Sequence, residues 1–97
     1  MKGIIYSYNV GGKYYVGKTF GIERKRIDKH KYEALTKKSD TPFARAIRKY
    51  GWEKVRESYR VIEAVERDTK QELNKALIER ETYWIREKKS IIPNGYN

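Results

Sequence analysis

Apolar and polar positions along this chain recur first at strand spacing and later at helical spacing. From Lys2 to Val10 the pattern alternates, placing Ile4, Tyr6, Tyr8 and Val10 on one face of a predicted strand. Gly11-Gly12 supplies the positive φ values of a tight hairpin, and Lys13 to Lys18 predicts the returning strand. Ile22 to Lys37 predicts a polar, strongly basic helix. Thr41-Pro42 reads as an N-cap followed by proline at the first helical position. Phe43, Ala46, Ile47 and Tyr50 then share a helix face, and Gly51 stops the helix. Alternation returns over Val55 to Ala64, where Val55, Tyr59 and Val61 oppose Arg56, Ser58 and Arg60 and predict a third strand. Thr69 and Glu72 form a capping box that opens the last helix, and Ile91 to Asn97 reads as a turn. The order is β-β-α-α-β-α. It implies an α+β domain in which three helices flank a small three-stranded antiparallel sheet.

The last helix carries an anomaly. At ~100° per residue, Leu73, Leu77, Ile78, Trp84 and Ile85 fall in one arc, with Glu81 in its middle. A carboxylate in a buried stripe is costly unless it is paired, hydrogen-bonded or bound to a metal. A structural ion pair would satisfy it as well as a catalytic role.

Composition narrows the class. The 97 residues form one domain, large enough to bury roughly 60–70% of its unfolded surface. Lys and Arg number 23 against 13 Asp and Glu, a net charge of +10, which favours an anionic partner such as nucleic acid. Without cysteine there is no disulfide, zinc–thiolate site or thiol catalysis. No apolar run approaches a membrane span and no signal peptide is evident, so a cytoplasmic domain acting without membrane contact is expected.

Arg26 and His30, four residues apart, project from one side of the basic helix, with Glu33 close behind. His30 is the sole histidine. An Arg-x-x-x-His pair on a basic helix is by itself usually a solvated face.

Together these residues resemble the GIY-YIG nuclease family over the whole chain. The first half-motif stands as Ile4-Ile5-Tyr6, preceded by Gly3, and the second as Tyr15-Val16-Gly17, followed by Lys18-Thr19. Arg26 follows Gly17 at the position of the family's arginine, with His30 one turn on. Phe43 to Gly51 resembles the middle helix, Glu81 the metal-binding glutamate, and Asn94-Gly95-Tyr96-Asn97 the closing segment. Two departures stand out. Ile4 replaces the first glycine, and Lys37 to Asp40 lacks a second histidine that some phage homing enzymes carry.

The resemblance implies a homing-type DNA endonuclease domain spanning residues 1–97, encoded by a phage or intron and excised from a longer chain with a C-terminal DNA-binding domain. Its setting would be a prokaryotic or phage-infected cell. It implies one divalent ion, Mg²⁺ with Mn²⁺ as substitute, held by Glu81. Arg26 would stabilise charge on the transition state, Tyr6 or Tyr15 would activate or orient water, and His30 would share or relay the proton. Asn97 would complete the site. A tyrosine acting as base needs its ordinary pKa of ~10 lowered by Arg26, a lysine or the metal. Lys18, Arg24, Lys25, Lys29, Arg45 and Lys49 are the expected contacts to double-stranded DNA, made by a monomer or a transient dimer. A repair or structure-specific nuclease of the same superfamily is the alternative enzyme. A non-catalytic basic nucleic-acid-binding module is the alternative of another class.

Overall fold

The computed structural model describes residues 1–97. Strands β1 (Lys2–Val10), β2 (Lys13–Thr19) and β3 (Arg60–Glu66) form an antiparallel sheet in the order β2-β1-β3. Four helices surround it: α1 (Glu23–Leu35), α2 (Pro42–Tyr50), α3 (Trp52–Glu57) and α4 (Lys70–Glu87). No helix is long and apolar enough to cross a membrane.

The central strand is buried on both faces. Tyr6, Tyr8 and Val10 pack with Ala34, Phe43, Ile47 and Val55 beneath α1, α2 and α3. Ile5 packs on the opposite face with Val16, Val65, Leu73 and Leu77 under α4. Two small cores thus share β1, and residues of α1, α4 and β2 line one cleft together.

Local chemistry accounts for the boundaries. Gly11 and Gly12 both have positive φ in the hairpin turn. Thr41 Oγ1 accepts the Ala44 amide at 3.1 Å to start α2, and Thr69 Oγ1 accepts the Glu72 amide at 3.1 Å to start α4.

The expected strand over Val55 to Ala64 divides into two elements. Val55 to Glu57 complete α3, and β3 begins only at Arg60. Gly51, at φ 91°, ends α2 and reopens the chain into α3, whose Glu53, Lys54, Arg56 and Glu57 favour a helical turn. Val55 is buried as a helical residue, whereas Val61 is 49% exposed. In α4, Ile78 also turns outward, leaving Leu73, Ala76 and Leu77 as the buried stripe. Glu81 therefore sits at the stripe's edge, its side chain 21% exposed, and not at a buried centre.

Candidate active site

Tyr6 projects from β1 toward α1, where its hydroxyl meets two side chains. His30 Nε2 lies 2.7 Å away, and Arg26 Nε lies 3.1 Å away. Arg26 Nε can only donate, so the phenolic oxygen accepts there and its own hydrogen is left for His30. Burial, reinforced by the Arg26 and Lys29 charges, lowers the His30 pKa from 6.5 to about 3. The imidazole is consequently neutral at pH 7 and free to accept. Tyr6 is only 1% exposed.

Gly17 allows this arrangement. It lies opposite Tyr6 in the β1–β2 ladder, and a Cβ there would collide with the Tyr6 ring and hydroxyl. The glycine of the second half-motif thus gives space to the tyrosine of the first.

Tyr15, two residues before Gly17 on the same strand face, is half-buried. Its ring stacks on Phe43 of α2 with centroids 4.1 Å apart and planes within 7°. The His30 ring stands edge-on to both, at 5.3 Å from Tyr15 and 5.1 Å from Phe43. Burial raises the pKa of Tyr6 and of Tyr15, outweighing the opposing influence of Arg26 in each. Arg26 thus does not by itself supply the lowering that a tyrosine base requires, and both residues are neutral hydroxyls at pH 7 in the free domain.

Glu81 reaches the site from α4. It shares with Arg26 a cleft of about 370 Å³, lined also by Lys18, Phe20 and Asn74. Lys18 Nζ lies 3.0 Å from Glu81 Oε1, a partner that reading the sequence assigned only to DNA. Glu81 is the sole carboxylate lining this cleft. No group of three or more His, Cys, Asp or Glu side chains gathers anywhere into a cage for a metal.

Asn97 lies against β2, between Tyr15 and Gly17. Its Oδ1 accepts the Val16 amide and its Nδ2 donates to the Val16 carbonyl, both at 2.8 Å. The Tyr96 amide bonds Tyr14 O at 2.9 Å, so the tail covers the outer edge of β2 as a further strand would. The Asn97 amide is thus engaged by the backbone between Tyr15 and Gly17.

The chain matches the GIY-YIG catalytic domain over residues 3–97. It belongs to the GIY-YIG nuclease family. Among solved structures, the catalytic domain of homing endonuclease I-TevI is similar to it at 26% identity and a TM-score of 0.67. The similarity covers 98% of this chain and 96% of that one. No curated protein sequence matches at a significant level. Membership implies endonuclease activity. The GIY-YIG half-motifs are the paired strands β1 and β2, and Ile4, standing where the first glycine would, packs half-buried against the α1–α2 core.

The cations expected to meet DNA lie on separate surfaces of this GIY-YIG domain. Lys18 is in the cleft. Arg24 and Lys29 make loose pairs with Asp28 at 3.9 Å and Glu33 at 3.8 Å along α1, and Lys25 is exposed beside them. Arg45 and Lys49 line a different groove, on α2.

Proposed function

We propose that this domain is a metal-dependent DNA endonuclease of the homing type, hydrolysing one phosphodiester bond per event with a single divalent ion at Glu81. The observation that carries the reading is the cleft lined both by Arg26, held at Nε by Tyr6, and by Glu81, its one carboxylate. One carboxylate, with waters and phosphate oxygens for the other positions, fits the requirements of Mg²⁺. The donor set lacks the bridging carboxylates of a two-metal clamp. When bound, such an ion would polarise the phosphate and relieve charge on the leaving 3′ oxygen.

The chain's own residues divide the remaining tasks. Arg26, always cationic, keeps Nε on Tyr6 and turns its terminal nitrogens to the scissile phosphate, where negative charge develops. Tyr6 and His30 are positioning residues, since both are buried behind Arg26. Tyr15 is partly exposed and beside Arg26, so its neutral hydroxyl orients the attacking water. Lys18 neutralises Glu81 in the free domain and is at hand for a phosphate when the carboxylate takes another ligand.

Supercoiled plasmid incubated with Mg²⁺ or with chelator tests the proposal. Nicked circle should form first and only with metal, and linear product should lag. Cutting undiminished by chelator, or linear product formed at once at first order in enzyme, contradicts it.

A further inference from the structure

We propose that a second, basic groove on the α2 side of the domain seats the sugar–phosphate backbone of DNA flanking the cut. The inference rests on the DNA-endonuclease reading above. The groove has a volume of about 510 Å³ and is built from three segments distant in sequence. Lys13 comes from the hairpin, Arg45 and Lys49 from α2, and Pro93 and Tyr96 from the tail.

Its charge is one-sided, with three cations and no carboxylate on its walls. Arg45 and Lys49 are four apart on one helix face, so their Cβ atoms stand ~5–6 Å apart, a spacing that lets two long cationic side chains reach neighbouring phosphates. Arg45 does bond Asp40 at 2.7 Å, but both side chains are largely exposed and such pairs contribute little. A phosphate can therefore recruit the guanidinium at small cost. The apolar wall from Pro93 suits the sugar between phosphates.

The tail segment is held in place and not merely adjacent. The Tyr96 hydroxyl donates to Val10 O at 2.9 Å, and its amide donates to Tyr14 O at the same distance. Ring contacts also connect the groove to the active site. Tyr15 stacks on Phe43 at 4.1 Å, and Phe43 meets Tyr96 at 6.2 Å. These ring steps put Tyr96 at most roughly 10 Å from Tyr15, about the axial rise of three base pairs of B-DNA at ~3.4 Å each. Backbone leaving the catalytic cleft past Tyr15 thus meets Lys13, Arg45 and Lys49 next.

The test compares two triple variants in salt titrations of duplex binding without metal. One carries Lys13→Gln, Arg45→Gln and Lys49→Gln. The other carries Arg67→Gln, Lys75→Gln and Arg86→Gln, an equal loss of charge from exposed positions away from the groove. Each phosphate contact contributes ~0.9 to the log–log salt slope, so the groove variant should lose up to about 3 in slope and the control markedly less. Equal slopes in the two variants, or a parental slope in the groove variant, overturn the proposal. Melting curves confirm that both are folded. Mg²⁺-dependent nicking by the parent is scored on the same preparations. A domain that binds through the groove but cuts nothing overturns the endonuclease reading and leaves the groove standing.

Discussion

The Tyr6 hydroxyl lies 2.7 Å from His30 Nε2 in the buried seam between β1 and α1. The contact gives the only histidine a neutral, hydrogen-accepting role. It also fixes the tyrosine that holds Arg26 toward the cleft.

Acid should loosen this seam. The folded-state pKa of His30 is about 3 against an ordinary 6.5, so the unfolded chain binds the extra proton between those values. The contribution of neutral His30 to stability is whole above pH 6.5 and is lost as pH falls toward 3, at up to ~1.4 kcal/mol per pH unit. His30→Gln, which cannot titrate, should flatten that part of the stability–pH curve. Chemical denaturation at a series of pH values checks this, and an unchanged slope in the variant contradicts it.

Arg26→Ala should lower single-turnover nicking by ~10²–10³, the usual loss for a donor that stabilises transition-state charge. Arg26→Lys should recover only part of it. One ammonium lacks the fork that serves Tyr6 and a phosphate together. Full rescue by lysine would mean that only net charge matters at this position.

If Glu81 holds the ion as proposed, Lys18 and a divalent ion would compete for Glu81 Oε1. Lys18→Gln should tighten Mn²⁺ binding to the DNA-free domain by up to roughly fivefold, the scale of a ~1 kcal/mol partly exposed pair. Calorimetric titration reads this directly. Weaker or unchanged binding would show that the lysine does not occupy the metal's position.

Asn97→Ala removes two bonds to Val16 and should cost ~1–3 kcal/mol, or about 4–8 °C in Tm for each kcal/mol. Asn97→Asp should be worse, because it sets a carboxylate against the Val16 carbonyl. Thermal unfolding of both variants checks the order. If neither lowers Tm, the tail does not hold β2.

Much of this molecule is legible in its residues. Two glycines between alternating segments announce the hairpin, and Thr41-Pro42 and Thr69–Glu72 announce two helices. Helix α3 escapes such a reading, because six residues around a single buried Val55 have no helical period to reveal. Its charges beside Val55 imitate strand alternation equally well. Arg26 and His30 are legible as a pair because four residues make one helical turn. The Lys18–Glu81 contact is not, since 63 residues separate its partners and only the packing of α4 on the sheet joins them. Asn97 illustrates a third case. A terminal asparagine in a family motif suggests a site residue, but its two bonds to the free edge of β2 depend on how the tail returns to the sheet.

The most direct measurement is on Glu81→Gln. The substitution keeps the shape of the side chain and one acceptor oxygen for Lys18, while removing the charge that would hold a divalent ion. Thermal unfolding, gel-shift titration and Mg²⁺-dependent nicking should be recorded on one preparation. The account predicts a folded protein with near-parental DNA binding and no nicking. A variant that unfolds, or that nicks at the parental rate, would show that Glu81 is a structural partner of Lys18 and not the metal ligand.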